Sequence, residues 1–440
     1  MVFIFFTGNS INRHLLTHSI YKIIKIKYSL YMHSKNKHYF RYLDNEIDLL
    51  IKEKYSCLIM GPRQVGKTTL VKSRTSKIEN KIEYPLQNPS FRRNLEVNPQ
   101  RMLNQVKALP PHPLVFIDEV QKVPELFDIA QILLDDKEAQ FILTGSSARK
   151  LRKQSINLLP GRIKRFYLNP LSWGELGYIK DNTIKNLSIN NINPLSEYSF
   201  EDSLVFGTLP GIVNLPDKDK KDFLMAYSET YLEEEIRAEA ISRKIGSFSS
   251  FLELAASESG TNPNFTKLSN ESGVSQPAIK EFYNILEDTL IVHKIDPYLK
   301  NARKRILSSS RYYFFDTGVR NALSRAPLSK ELINVQKGKL FEHAVLLEII
   351  RRVNIIDRNF KIYYWRTSTG SEVDCVIDCG KVIIPIEIKS SSYVSLSEIK
   401  GLKSFLKDYS DIAPQGFVIT MGGIKEKLDY NITAIPWFSL

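Results

Sequence analysis

Gly61-Pro62-Arg63-Gln64-Val65-Gly66-Lys67-Thr68 is the stretch on which the reading of this chain turns. It fits G-x-x-x-x-G-K-[ST], a loop whose backbone N–H groups cradle phosphates. Its surroundings matter as much as its letters. Cys57-Leu58-Ile59-Met60 is a short apolar run expected as a buried strand, and Thr68 to Ser73 is expected to open a helix. Upstream, Arg41 to Lys54 carries Leu43, Ile47, Leu50 and Ile51 at helical spacing. Strand, glycine loop and helix N-terminus then converge on one anion site. In that frame the run from Gly61 to Thr69 holds the phosphates of ATP. Lys67 reaches the β- and γ-phosphates, and the Thr68 hydroxyl ligates Mg²⁺.

Further on, Leu114-Val115-Phe116-Ile117-Asp118-Glu119 is an apolar strand ending in two acids. Asp118 is expected to hold Mg²⁺, directly or through water, and Glu119 to polarise the attacking water. The other reading of the pair is a solvated strand end. Phe141-Ile142-Leu143-Thr144-Gly145-Ser146-Ser147 brings hydroxyls to the same edge, where ligands of parallel sheets bind. Thr144 or Ser146 then senses the γ-phosphate or orients water; alternatively these hydroxyls cap the following helix. Leu159-Pro160-Gly161-Arg162 precedes another strand-like run, Arg165-Phe166-Tyr167-Leu168. Arg162 is the candidate transition-state arginine, acting from a neighbouring subunit, a role worth about 10³ or more in rate. The alternative is an ordinary surface arginine. Alternating strands and helices predict an α/β fold with a mostly parallel sheet covered on both faces.

The 440 residues are 43% hydrophobic and 25% charged, which excludes a wholly disordered, collagen-like or coiled-coil chain. Length alone suggests about three domains. No apolar run approaches the ~18 to 20 residues that span a bilayer. Val2-Phe3-Ile4-Phe5-Phe6 is too short for a signal-peptide core. Three cysteines, Cys57, Cys375 and Cys379, cannot staple a chain of this size, so a cytoplasmic protein without a membrane partner is expected. A net charge of +13 favours polyanionic partners. The excess is uneven: Lys300, Arg303, Lys304, Arg305, Arg311, Arg320 and Arg325 face one acid, Asp316. Residues 1–31 carry four basic residues and no acid, and read either as a leader before a start at Met32 or as a basic flexible tail.

Thr266 to Ile279 reads as helix, glycine turn at Gly273, and helix, with Ser275 as N-cap and Pro277 in the first turn. Ile279, Phe282 and Leu286 form one stripe and leave Gln276, Lys280 and Asn284 outward. This is either a helix-turn-helix unit with a wing over Leu290 to Tyr298, or a helical packing module with a solvated face. Beyond it, Lys337 to Arg352 is an amphipathic helix, with strands expected at 361–366, 372–378, 382–389 and 416–421 and a helix at 395–407. Glu372-Val373-Asp374-Cys375-Val376 and Ile384-Pro385-Ile386-Glu387-Ile388-Lys389 both alternate, so pairing them can set Asp374 beside Glu387. The alternative is a pair of ordinary strands with solvated acids.

GPRQVGKTTL, LVFIDEVQKVPEL, ILTGSS, LPGR and LNPLSWGEL, in that order, resemble a prokaryotic AAA+ ATPase family that appends a restriction-endonuclease-like domain. The likeness runs over residues 40–440 and implies that Asp118 and Glu119 are the Walker-B pair, with Ser146 near the sensor-1 position. Phe206-Gly207-Thr208-Leu209-Pro210-Gly211 is similar to the family's GG-x-P turn, with Thr208 replacing the second glycine. The Asp374, Glu387 and Lys389 spacing looks like a PD-(D/E)xK nuclease signature, with Val373 where proline often stands. That likeness implies Glu342, Asp374 and Glu387 on Mg²⁺, with Lys389 orienting water. The expected organisation is a leader or tail at 1–40, a P-loop core at 41–180, a linker and helical lid at 181–245, a winged-helix-like module at 246–330 and a nuclease-like α/β domain at 335–440. The expected activity is Mg²⁺-dependent ATP hydrolysis by a homo-oligomer, coupled to a domain that acts on or binds DNA or RNA. The competing reading is an ATP-binding regulatory switch whose C-terminal domain is a non-cleaving platform for a partner.

Overall fold

Strands that are buried on both faces must be apolar at every position, and three runs in this chain meet that condition. The computed structural model describes residues 39–147, 159, 161–178, 198–231, 245–299, 309–357 and 359–440. The leader with Met32, Pro160, residues 181–197 and 232–244 of the expected linker and lid, and Lys300 with Arg303, Lys304 and Arg305 lie outside the described residues. The first part of the chain runs α1 (Tyr42–Lys52), β1 (Ser56–Met60), α2 (Lys67–Thr75), β2 (Lys81–Pro85), α3 (Pro89–Val97), α4 (Gln100–Lys107), β3 (Leu114–Asp118), α5 (Leu126–Asp135), β4 (Gln140–Gly145) and β5 (Ile163–Tyr167). All five strands are parallel, in the order β2-β3-β4-β1-β5. Every residue of β1, β3 and β4 is buried, which is why they are the runs legible in the sequence. Edge strand β2 carries Lys81 and Glu83, and its mixed character hides it from an apolar count. The switch between β1 and its neighbours β4 and β5 sets the phosphate loop at the carboxyl edge.

Next come α6 (Phe200–Phe206), α7 (Asp217–Ala226), α8 (Ile245–Ser257), α9 (Phe265–Ser272), α10 (Gln276–Asp288), β6 (Val292–Pro297), β7 (Arg311–Phe314) and α11 (Thr317–Leu323). Gly273 ends α9 in the left-handed region at φ 68°, and α10 starts after Ser275 with Pro277 in its first turn. Gln276, Lys280 and Asn284 are exposed, as the stripe of Ile279, Phe282 and Leu286 requires. Lys267 on α9 is engaged by Glu258 at 3.3 Å and Glu271 at 3.9 Å.

The remainder is α12 (Glu331–Ile356), β8 (Lys361–Arg366), β9 (Glu372–Asp378), β10 (Ile383–Lys389), α13 (Lys400–Asp408), β11 (Gly416–Thr420), β12 (Glu426–Asp429) and β13 (Ile432–Pro436). The second sheet has eight strands in the order β12-β13-β11-β10-β9-β8-β6-β7. It therefore takes in the hairpin of the middle segment through a parallel β6–β8 pairing. Sequence spacing separates these two units, because edge pairing between distant strands leaves no local periodicity. Helix α12 is longer than the stretch read from its pattern: Gln336 departs from helical geometry at φ −125°, ψ 25°, and the amphipathic run is the part beyond that kink.

Helix α11 locks the centre of the molecule. Thr317 Oγ1 donates to Ser203 O at 2.7 Å, and Asn321 Nδ2 donates to Leu204 O at 3.0 Å and Val205 O at 2.9 Å. The two bonds from Asn321 reach carbonyls in the last turn of α6, and the bond from Thr317 adds a second donor to Ser203 O, which also accepts from Gly207 N. The fit leaves no room at Gly318, where an added Cβ would sit 2.0 Å from Phe206 O. Replacing a helical glycine by alanine ordinarily stabilises by up to about 1 kcal/mol. Here Gly318→Ala is expected to destabilise by about 2–3 kcal/mol through overpacking against backbone. Urea unfolding checks the sign, and a midpoint at or above wild type would contradict the close approach of α11 to α6.

Candidate functional site

The loop from Gly61 to Gly66 turns the chain from β1 into α2. Gly66 adopts φ 95°, a conformation open to glycine, and Gly61 lies so close to Leu168 O that a Cβ would be 2.2 Å away. Lys67 is buried and donates to Gly61 O at 2.8 Å and Pro62 O at 2.9 Å, so its ammonium stands across the mouth of the loop. Thr68 Oγ1 donates to Asp118 at 2.8 and 3.0 Å, the acid at the end of β3. Thr144 Oγ1, at the end of β4, donates to the same carboxylate at 2.7 Å. Burial pushes the Asp118 carboxyl up, more than its bonds to Thr144 and Thr68 pull it down. A cation beside it would remove that penalty. The oxygen donors Thr68 and Asp118 are the hard ligands that Mg²⁺ selects, so the residues fit the metal.

Glu119 follows in a left-handed conformation, φ 60° and ψ 52°, a strained backbone at a buried polar residue. Burial alone would raise its carboxyl. Lys67, 3.6 Å away, together with bonds from Ser146 and Gln121, outweighs burial and holds it below the usual carboxylate range. Ser146 Oγ donates to Glu119 Oε2 at 2.6 Å, and Gln121 Nε2 donates to Ser146 Oγ at 3.1 Å and also to Glu119. Ser146 thus holds the acid's orientation. Thr144 joins both acids, since its Oγ1 also accepts from Glu119 N at 3.0 Å.

Two supports of the loop were invisible in its motif. Arg41, just before α1, is buried; its Nη1 donates to Val65 O at 2.7 Å, its Nη2 to Asn169 O at 2.6 Å and its Nε to Glu175 at 3.1 Å. Glu175 also accepts from Tyr42 N and Ser172 N, both at 2.9 Å. An arginine at a helix start carries no signal of burial, and its partner lies far along the chain. Breaking a buried ion pair on one side costs about 3–5 kcal/mol. Arg41→Met is therefore expected to lower stability by that amount, measured by denaturant unfolding; a change below about 1 kcal/mol would place Arg41 outside the core of the site. The second support is the turn at Gly207 to Gly211, whose Pro210 approaches Gly66. Thr208 N donates to Asp316 at 2.7 Å, and Gly207 packs so tightly on that carboxylate that a Cβ would be 1.9 Å from it. Thr208, which stands in place of the second glycine, is buried.

Arg162 does not reach its own chain's phosphate loop. It precedes β5, whose Ile163 pairs with Ser56 at the start of β1, so it lies at the amino edge of the sheet. There it is partly exposed and pairs with Asp135, Nη2 donating at 3.1 Å.

The C-terminal acids do come together. The antiparallel register that pairs Ile386 with Cys375 carries Asp374 to the next position beside Glu387. Tyr313 donates to Glu342 at 2.8 Å, Ile388 N donates to Asp374 at 2.8 Å, and Lys389 donates to Glu387 at 2.7 Å. Burial first, then the charge of Asp374, raises Glu342 to about 7 and Glu387 to about 8; burial also raises Asp374. Glu387 Oε2 is buried without a hydrogen-bond partner. Each carboxylate is nonetheless turned to its own donor, and among the described residues no group of three or more His, Cys, Asp or Glu is set to hold a metal ion. The two raised acids predict a pH dependence. A carboxyl whose folded value exceeds its unfolded value near 4.5 contributes stability below that value and loses it as pH rises through the folded one. Thermal stability in chelator is thus expected to fall between about pH 5 and pH 8, and Glu387→Gln to flatten the fall. Parallel profiles for the two proteins would count against the raised values.

Sheet order, phosphate loop and the two strand-end acids define a P-loop ATPase core of AAA type. Comparison with known proteins agrees: residues 53–177 match the AAA domain. Residues 197–330 and 337–440 match two domains of unknown function, DUF8612 and DUF4143. An uncharacterized protein of Mycobacterium tuberculosis is 25% identical over 357 residues, covering 80% of this chain and 73% of the relative. An uncharacterized protein of Methanocaldococcus jannaschii is 23% identical over 302 residues, 67% of this chain and 65% of the relative. Among solved structures, a Walker-type ATPase of Pyrococcus abyssi is similar with TM-score 0.42 and 15% identity, over 64% of this chain and 94% of that one. The Orc1 protein of Aeropyrum pernix in complex with DNA gives TM-score 0.30 and 12% identity, over 68% and 95%. No helix among the described residues is long and apolar enough to cross a membrane.

Proposed function

We propose that this protein is a Mg²⁺-dependent ATPase, working as a cytoplasmic homo-oligomer, whose nucleotide cycle drives a conformational change coupled to a C-terminal site on nucleic acid. The observation that carries the first part is the convergence of Lys67, Thr68, Asp118 and Glu119 at one sheet edge. Mg²⁺ held by Thr68 and Asp118 would neutralise charge on the phosphate oxygens. Lys67 exchanges the Gly61 and Pro62 carbonyls for phosphate oxygens. Glu119, ionised and oriented by Ser146 and Gln121, accepts a proton from the attacking water. Arg162, remote from its own site, serves the site of a neighbouring subunit.

The winged-helix-like α8–β7 segment and the nuclease-like site of Glu342, Asp374, Glu387 and Lys389 form the second half of the proposal. Lys389→Ala is expected to leave ATP turnover within about twofold and to abolish cleavage of DNA or RNA in Mn²⁺ or Mg²⁺. Wild-type protein that cuts neither substrate would remove the nuclease half and leave the ATPase. A second reading is favoured by one observation, that Glu342, Asp374 and Glu387 each accept from a protein donor. In it the ATPase is a slow switch and the C-terminal domain a non-cleaving platform. Turnover unaffected by nucleic acid, with nucleotide retained on purification, selects that reading.

A further inference from the structure

Arg162 stands at the wrong edge of the sheet to serve its own site. Ile163, which follows it, pairs with Ser56, whereas the phosphate loop starts beyond Met60 at the other end of β1. Four residue steps along a strand put about 13 Å between those ends. A second cation for the chain's own site, besides Lys67, has to be rooted at the carboxyl edge.

Arg63 is rooted there. Of the four residues between Gly61 and Gly66, Pro62 and Val65 are buried, while Arg63 and Gln64 are half-buried. Arg63 is the one that carries a charge. Its backbone is pinned on both sides. The Pro62 carbonyl just before it accepts from the Lys67 ammonium at 2.9 Å, and its own carbonyl accepts from the Tyr227 hydroxyl at 3.4 Å. Tyr227 is buried, opens the π-helical turn Tyr227–Tyr231 after α7, and lies against Phe315 with ring centroids 6.3 Å apart. Gln64 then turns the chain through the left-handed region at φ 64°. The arginine's arm therefore starts one peptide from the Lys67 ammonium, which stands 3.6 Å from Glu119 Oε1. Its charge is felt at that acid: burial opposes the carboxylate, and Lys67, Ser146, Gln121 and Arg63, in that order, favour it. Arg63, Lys67 and Glu119 share one mouth of the loop.

We propose that Arg63 is a catalytic residue of its own subunit's ATP site, its guanidinium donating to the γ-phosphate oxygens in the transition state. This deepens the reading of the loop as an ATPase site and rests on it. During transfer the bond from the γ-phosphorus to the β–γ bridging oxygen breaks and its electron pair stays on ADP. The water oxygen bonds to phosphorus, and the water proton passes to Glu119. Charge spread over the γ-phosphate oxygens is met by the planar fork of a guanidinium. An arginine carried in the loop supplies that fork without a second subunit. Arg162 of a neighbouring subunit is then an addition to the site and not its sole arginine.

The test separates ground state from transition state. Arg63→Ala is expected to lower turnover about 10³-fold. It should keep affinity for a non-hydrolysable ATP analogue with Mg²⁺ within about threefold, and lose at least about tenfold in affinity for ADP with aluminium fluoride, a mimic of the phosphoryl group in transit. Calorimetry on the full chain reads both affinities independently of turnover. Arg63→Gln, which keeps much of the arm and no charge, is expected to behave in the same way. Mixing Arg63→Ala with Lys67→Ala, whose loop is disabled but whose Arg63 is intact, is expected to restore no activity. Turnover within about twofold of wild type, or an equal loss of affinity for both nucleotide forms, overturns the proposal. Activity recovered on mixing overturns the assignment to its own subunit. Those outcomes leave the ATPase reading standing. A wild-type chain that neither hydrolyses ATP nor binds ADP more tightly with aluminium fluoride removes that reading, and the proposal with it.

Discussion

Lys67→Ala is expected to reduce ATP turnover by at least about 10²-fold. A positioned donor to charge that develops in the transition state is worth about 3–4 kcal/mol. Lys67 is also the counter-charge of Glu119 at 3.6 Å, so its removal touches two components of the same site. Without it Glu119 loses the largest influence that opposes burial, and its carboxyl rises toward the protonated form. The pH–rate profile therefore separates the two effects: residual activity that improves with rising pH reports the lost control of Glu119. Phosphate release at saturating ATP is the measurement. A variant that turns over like wild type would remove the site from this loop altogether.

Glu119→Gln is expected to give the second large effect and a different signature. A general base contributes about 10²–10⁴-fold, while the loop amides, Lys67, Thr68 and Asp118 remain in place to bind nucleotide. The variant should thus keep ATP affinity within a few-fold and lose turnover by two to four orders of magnitude. Ser146 Oγ and Gln121 Nε2 then face an amide that accepts only through one oxygen, so part of the loss is orientation. Equal losses in binding and turnover would show that Glu119 builds the pocket instead of acting on water.

The convergence of the glycine loop with the strand-end acids was legible because the residues of each part lie close together in the sequence. Gly61, Gly66, Lys67 and Thr68 sit within one loop, and Asp118 and Glu119 end a strand whose burial forces an apolar run. The strands at 361–366 and 372–378 and the Asp374–Glu387 approach were legible for a related reason, since alternation fixes which side chains share a face. What escaped was written at a distance. Arg41 and Glu175, the grip of α11 on α6, and the entry of β6 into the C-terminal sheet each join residues remote in sequence, with no period to announce them. Strand β2 escaped because an edge strand tolerates Lys81 and Glu83, and β12 because it is short and polar at its exposed positions, Glu426 and Lys427.

The buried arginine before the first helix has a mechanical corollary. Arg41 grips Val65 and Glu175; Leu171 and Trp173, close by on the same segment, are bonded by Arg351 and Glu348 of the helix that also bears Glu342. Phosphate cradle and far helix thus hang from one rigid bracket. Any tug on the cradle must either be felt along that helix or tear a buried polar bond, so the molecule behaves less like two engines on a tether than like a key and its bolt.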